Sequence, residues 1–178
     1  LLGITEPIAG LSDFSYTTWG HPVRTETVES VKVYGDTLYV TGTTEINGVK
    51  QSTVWAWGAD GEPIWAQIQP DTETYGDNFA RDLAVGEEGL MLLYSYDRPT
   101  LPIGQSVISL TSENGTPGNP VNTSAIFFHD GCKMDWYGDQ LLKISHIDIG
   151  SSSGTDIFIT WLGPFGGYFE SGILGTNF

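Results

Sequence analysis

A hairpin signature that returns at a fixed interval is the sequence feature that most constrains this chain. Tyr34-Gly-Asp-Thr-Leu38 matches Tyr137-Gly-Asp-Gln-Leu141, and Gly86-Glu-Glu-Gly-Leu90 lies midway between them. The period is about 51 or 52 residues, which is typical of a protein built from repeated structural units. In each copy an alternating strand precedes the polar turn, and an apolar strand begins at the leucine. The equivalent leucines are Leu38, Leu90 and Leu141.

A second hairpin follows the first in every unit, and Ser52–Gln67 shows it best. Apolar and polar residues alternate on both sides of the turn Gly58–Gly61, and Pro63 stands near the start of the second strand, where a missing N–H is tolerated. Related strands are expected at Gln105–Leu110 and Thr155–Trp161. The pattern therefore predicts four antiparallel strands per unit, A to D, arranged as two hairpins joined by a variable loop.

Four antiparallel strands in a repeat of this length are typical of a β-propeller blade. We therefore expect an all-β, β-propeller-like fold in a single domain over residues 1–178, with about three and a half blades. Since closed propellers need ~4–8 blades, other residues or another chain would complete the ring. An open solenoid or a sandwich of small sheets is the structural alternative. The predicted units are a partial blade at 1–28 and blades at about 29–77, 78–128 and 129–178.

The partial blade is expected to lack strand A. Its strand B is predicted at Leu1–Thr5, its strand C at Asp13–Trp19 and its strand D at Val23–Val28. The unpaired edge of Leu1–Thr5 is a place where a partner strand could add. Since the chain begins with Leu1 rather than Met, we expect a processed chain or a piece of a longer one.

The charge balance restricts the partners. The chain has 22 acidic and 7 basic residues, a net charge of −15, which disfavours nucleic acid and anionic membrane surfaces. Proteins, neutral glycans and cations remain as partners. Charged residues make up only 16% of the chain, so the surface must be rich in Gly, Ser, Thr and Asn, and we expect an extracellular, periplasmic or cell-surface location. No apolar run reaches the ~18–20 residues of a membrane span, so no membrane insertion is expected.

The repeat resembles the propeller repeats of bacterial surface proteins known as SBBP-type. The segments that carry the resemblance are Thr53–Trp65, Val31–Gly35, Leu38–Gly42 and Thr155–Phe169. In that family a strand leads to an Asp/Asn-Gly turn, an aromatic-rich strand follows, and a Gly-rich hairpin ends in a strand finishing Val-Thr-Gly. The resemblance implies a surface-associated role and no catalytic set.

A weaker likeness connects Gly61-Glu-Pro-Ile-Trp65 with the quinoprotein-type propeller repeat. The tryptophan of that motif docks between blades, and the likeness implies the same for Trp65. The motif occurs once here, and the calcium and quinone ligands of those enzymes cannot be placed. No Ser nucleophile elbow, P-loop or dinucleotide fingerprint is present.

One acidic segment has a faint likeness to a calcium loop, and it gives the metal candidates. Calcium prefers six or more oxygens around a turn with glycine at the sixth position, which Gly76 would occupy. A solvated acidic loop between two blades is the alternative. The candidate ligands are Asp71, Glu73, Asp77 and Asp82.

Two further sets of residues have a chemical and a structural interpretation. His129-Asp-Gly-Cys132, with His146 across a predicted hairpin, could hold a metal, but a turn followed by a small buried cysteine is favoured. The six tryptophans could stack on a carbohydrate. Trp19, Trp57 and Trp161, however, take equivalent places near the end of strand C, which favours packing between blades.

The sequence alone therefore favours a non-enzymatic, propeller-like binding or structural scaffold of an exported or surface-associated protein. Recognition would involve the loops Glu45–Gln51, Tyr96–Gln105 and Ile147–Thr155. No catalytic residue can be assigned, and no cofactor is expected apart from the calcium candidate. The alternatives are a propeller enzyme, either a glycan hydrolase or a quinone-dependent dehydrogenase, and a calcium-dependent adhesion domain.

Overall fold

Antiparallel strands make up the regular structure of the chain. A computed structural model describes residues 4–7, 15–18, 24–69, 76–97, 104–123, 132–148, 155–162 and 168–174. Within these ranges there are fourteen strands and no helix. They form one two-stranded hairpin and three four-stranded sheets, each with its strands in chain order. The predicted all-β class and the four-stranded unit are therefore confirmed.

Each sheet is a meander of consecutive strands. The N-terminal hairpin pairs β1 (Ile4–Pro7) with β2 (Ser15–Thr18). Sheet I contains β3 (Thr25–Tyr34), β4 (Thr37–Ile46), β5 (Val49–Gly58) and β6 (Pro63–Ile68). Sheet II contains β7 (Asn78–Gly86), β8 (Gly89–Tyr96), β9 (Gly104–Leu110) and β10 (Val121–Asn122). Sheet III contains β11 (Lys133–Tyr137), β12 (Gln140–Asp148), β13 (Thr155–Leu162) and β14 (Tyr168–Leu174).

The repeat leucines occupy the same place in the three sheets. Leu38 pairs with Val33, Leu90 with Val85 and Leu141 with Trp136, each as the second pair from a two-residue turn. In two of these turns the first central residue is a glycine with positive φ, 57° at Gly35 and 62° at Gly138, which suits the twist of a tight hairpin. The sequence period is thus a structural period.

The two faces of each sheet have different neighbours. We call the face that carries the repeat leucine the front face, and the opposite face the back face. In β8, Leu90 and Leu92 belong to the core shared with sheet I, whereas Met91 and Leu93 belong to the core shared with sheet III. Sheet II is therefore covered on both sides, which explains why its second strand is an uninterrupted apolar run rather than an alternating one.

The same packing is used twice, because the front face of one sheet lies on the back face of the sheet before it. Between sheets I and II the back face contributes Tyr39, Val54, Ala56 and Trp65, and the front face contributes Leu83, Leu90, Leu92, Ile108 and Leu110. Between sheets II and III the back face contributes Ala84, Met91, Leu93 and Val107, and the front face contributes Met134, Trp136 and Leu141.

The first strands of sheets I and III converge. Lys32 Nζ in β3 lies 2.9 Å from Asp135 Oδ2 in β11, although sheet II stands between the two sheets. Sheets stacked face to face are separated by about 10 Å, so parallel layers would place sheets I and III about 20 Å apart. The side chains can meet only because the sheets fan out from their first strands.

Three expectations about local structure are wrong. Thr25–Val28, predicted as part of a strand D in the partial blade 1–28, opens β3 and pairs with β4, with a bulge between Val28 and Ser30. Glu45–Gln51 is not a long loop, because Ile46 pairs with Val49 across an Asn47-Gly48 turn whose φ values are 54° and 80°. Those positive values fit a type I′ hairpin, which Asn-Gly strongly favours.

The third error concerns the tryptophans of strand C. Trp57 pairs with Leu38, but Trp161 pairs with Leu142, which is one residue beyond the repeat leucine. Successive residues of a strand lie on opposite faces, so the two positions are not equivalent. Trp19 lies outside the described residues.

Within the predicted partial blade 1–28, the described residues are those of β1 and β2 and the residues from Arg24 onward. β1 and β2 overlap the predicted strands Leu1–Thr5 and Asp13–Trp19 and pair with each other. Apart from Thr25–Val28, which opens β3, the rest of the strand assignment for this unit lies outside the described residues.

Candidate functional site

The front face of sheet I carries several exposed apolar side chains. Three valines of β3 lie on it with most of their side chains in solvent: Val28 is 64% exposed, Val31 53% and Val33 70%. These valines, with Leu38 and Val40 of β4, line an open groove of about 680 Å³. A patch of this kind usually marks a contact surface.

Two tryptophans form the far wall of this face. Register places Trp57 opposite Leu38 and Trp55 opposite Val40, so both belong to the front face. Their rings stack with centroids 6.4 Å apart and an interplanar angle of 25°. The groove is therefore floored by branched aliphatic side chains and bordered by an aromatic pair, and Asp36 is the one acidic residue in its lining.

The residues equivalent to Val31 are buried in sheets II and III. Val31 pairs with Val40, and the equivalent residues Leu83 and Met134 pair with Leu92 and Lys143. Val31 is 53% exposed, whereas Leu83 and Met134 are 0% and 2% exposed because the preceding sheet covers them. The front face of sheet I is thus built like the two front faces that are buried.

A buried polar cluster between sheets II and III is the second candidate site. Lys143 lies on the front face of sheet III and is fully buried, at the place occupied by Val40 in sheet I and Leu92 in sheet II. Its Nζ donates a hydrogen bond to Thr123 Oγ1 at 3.1 Å. Nearby, Gln105 Nε2 donates to Cys132 Sγ at 2.8 Å.

Burial lowers the pKa of Lys143 from 10.5 to about 8, and an electrostatic interaction with Cys132 partly opposes the shift. A lysine in this range could act as a nucleophile or a base if a substrate reached it. The amine is enclosed, however, between two packed sheets. Its geometry favours a role in the interface between those sheets.

Two of the calcium candidates are described, and both have backbone partners. Asp82 is 3% exposed, and its Oδ1 and Oδ2 accept hydrogen bonds from the N–H groups of Leu83 and Met134 at 2.9 and 2.8 Å. Asp77 Oδ1 accepts one from the N–H of Lys50 at 2.9 Å. These carboxylates therefore link sheets I, II and III.

The remaining calcium candidates, Asp71 and Glu73, lie outside the described residues. Among the described side chains, no three His, Cys, Asp or Glu residues are grouped as a metal site would require. The calcium site remains a prediction from the sequence.

The motif around Cys132 is described only at its end. Cys132 is 2% exposed and directly precedes β11, as the structural interpretation expected, while His129 lies outside the described residues. Trp65 packs against the core between sheets I and II, and its Nε1 donates to Ser112 O, in the segment between β9 and β10, at 2.8 Å. Its ring lies against Tyr39, with centroids 6.1 Å apart.

Sequence reasoning missed both candidate sites. The exposed front face could not be recognised, because Val31 and Val33 resemble the buried residues of the other units. Lys143 did carry a signal, since an alignment of the units sets it against Val40 and Leu92. A lysine at an apolar repeat position predicts either an exposed face or a buried polar contact.

No family model matches the chain, and a search of curated proteins finds no match either. The described residues include no helix that is long and apolar enough to cross a membrane.

Proposed function

We propose that this chain is a non-enzymatic, propeller-like scaffold module that mediates protein–protein or assembly contacts in an exported or surface-associated protein. The observation that carries the proposal is the front face of sheet I, which has the composition of a buried interface and is open to solvent. Val31 and Val33 alone are 53% and 70% exposed. Burying a side chain of this size contributes about 1.5–3 kcal/mol, so the face favours a partner.

The propeller-like arrangement is supported by the packing and by the convergence of the sheets. The three four-stranded sheets lie front to back on one another, as blades do, and Lys32 reaches Asp135 across the first strand of sheet II. Rigid units that fan out from a common edge expose their turns on a shared rim, which is a frame suited to recognition.

The composition of the face favours a scaffold over an enzyme. A catalytic pocket holds a few converging polar groups in a concave apolar site. The groove on sheet I is lined by valines, a leucine and Trp57, with Asp36 at its turn end. An exported location is consistent with the net charge of −15 and the low content of charged residues.

Site-specific photo-crosslinking in the producing cells tests the proposal. A benzophenone amino acid at position 33, on the exposed face, should form a covalent adduct with a protein that is visible as a shifted band. The same label at Asn119, which is exposed in the segment between β9 and β10, is the matched control. Equal labelling at the two positions, or no adduct at position 33, would contradict a contact role for this face.

A further inference from the structure

Among the described residues, two sheet faces carry exposed apolar side chains and complement each other. The first is the front face of sheet I, described above. The second is the back face of sheet III, where Ile144 is 37% exposed while the equivalent residues Thr41 and Leu93 are both 0% exposed. The equivalence follows from register, since the three residues pair with Lys133, Ser30 and Asp82 respectively.

We propose that the back face of sheet III in one copy of this chain docks on the front face of sheet I in a second copy. This inference rests on the proposed function, because it names the partner of the same surface. The contact would repeat the packing already used twice inside the chain. In those two interfaces a back face of aliphatic and, in sheet I, aromatic residues covers the paired strands that carry the repeat leucine.

Matching side chains support this choice of occupant. On the back face of sheet III, Leu142 and Ile144 would pack on the second copy. Met91 and Leu93 occupy the same positions in sheet II and pack towards sheet III. Tyr39 and Thr41 occupy them in sheet I and face sheet II. On the second copy, Val31 and Val33 would take the roles of Leu83 and Val85. No new type of contact is needed.

The symmetry of the contact has a testable consequence. Different surfaces of the two copies meet, so the interface is heterologous, and copies add head to tail into a ring or an open chain. Each copy has a net charge of −15, which opposes association. Salt screens that repulsion, so association should strengthen as ionic strength rises.

Complementation of two blocked variants tests the proposal by sedimentation and light scattering. Val33→Lys blocks the front face of sheet I, and Ile144→Lys blocks the back face of sheet III; both positions are exposed, so each variant should fold. Each variant alone should remain a monomer of about 19.4 kDa, with self-association weakened at least tenfold. Mixed together, they should form a one-to-one dimer and nothing larger, because each retains one intact face.

A third variant, changed at a position away from both faces, is the control. Asn119→Lys makes the same change of charge away from both faces and should associate like the unmodified chain. The inference is overturned if the unmodified chain is monomeric at every concentration and salt level, or if the two blocked variants do not combine. It is also overturned if Val33→Lys alone abolishes association while Ile144→Lys does not, since that result indicates a front-to-front dimer.

The two proposals can fail separately. If position 33 crosslinks to a different protein and the unmodified chain stays monomeric, the scaffold function stands and the second copy is the wrong partner. If position 33 crosslinks to nothing and the chain is monomeric, both proposals fail.

Discussion

The carboxylate of Asp82 accepts a hydrogen bond from the backbone N–H of Met134, which lies in the next sheet, at 2.8 Å. Its other oxygen accepts the N–H of Leu83 at 2.9 Å. The side chain is 3% exposed, so it is a charged group held between two sheets by backbone donors. Hydrogen bonds of this kind are stronger than neutral ones, and sheets II and III are thus joined by polar as well as apolar contacts.

Removing this link should weaken the contact between sheets II and III. Asp82→Ala leaves the N–H of Met134 without its acceptor in a buried interface, and we expect the free energy of unfolding to fall by about 2–3 kcal/mol. Urea denaturation measures the change. Asp139→Ala, in the exposed turn between β11 and β12, is the control and should lie within about 0.5 kcal/mol of the unmodified chain.

Calcium separates this structural role from a metal-binding one. If Asp82 acts as an inter-sheet link, Asp82→Ala should lower the melting temperature by the same amount with calcium or with a chelator. A loss of stability that appears only in the presence of calcium would restore the metal site predicted from the sequence.

The buried amine of Lys143 makes stability depend on pH. Its pKa is about 8 in the folded chain and 10.5 when unfolded, so between these values the unfolded state binds more protons. Its contribution to stability therefore rises with pH across that window, by up to about 3 kcal/mol, and is fully present above pH 10.5. Lys143→Met should abolish that rise and stabilise the chain at pH 7.

A pair of pH titrations of the unfolding free energy checks this expectation. The difference between the unmodified chain and Lys143→Met isolates the effect of this lysine from that of every other group in the chain. Lys133→Met, at an exposed position of β11, should leave the slope unchanged. A slope that survives in Lys143→Met would show that another group causes it.

Trp65 should stabilise the interface between sheets I and II in two separable ways. Trp65→Phe retains a ring against Tyr39 but removes the hydrogen bond to Ser112 O, and we expect a loss of about 1 kcal/mol. Trp65→Ala also removes the ring, and the loss should rise to about 3 kcal/mol or more. Trp55→Phe is the control for the first variant, since Trp55 lies on the front face of sheet I. Equal losses for the two phenylalanine variants would contradict the assignment.

The parts of the fold that the sequence predicted are those set by local chemistry. Alternation and the polar turns placed the strands, and the interval between Leu38, Leu90 and Leu141 gave the unit of four. The Asn47-Gly48 turn was also readable from local chemistry, because this dipeptide is a strong hairpin signal. The bulge at Glu29 was not readable, and it hid the continuity of Thr25–Val28 with the rest of β3.

The candidate sites depend on contacts between units, which a single strand pattern does not encode. Val31 and Leu83 have similar neighbours in sequence, but sheet I packs on Leu83 and buries it, whereas Val31 is 53% exposed. Asp82 likewise resembles a loop carboxylate until Met134 is placed beside it. Polar residues in the apolar register of a repeat, such as Lys143, are the signal to search for.

Chemical crosslinking of Lys32 to Asp135 tests most directly the claim that the sheets fan out from a common inner edge. A zero-length carbodiimide reagent should join the two side chains, which lie 2.9 Å apart, and peptide mass spectrometry of a mixture of isotopically light and heavy chains should place the bond within one molecule. Asp135→Asn should abolish that product. If Lys32 forms bonds only with carboxylates of sheet I, and none with β11 of the same chain, the sheets do not converge and the propeller-like account is wrong.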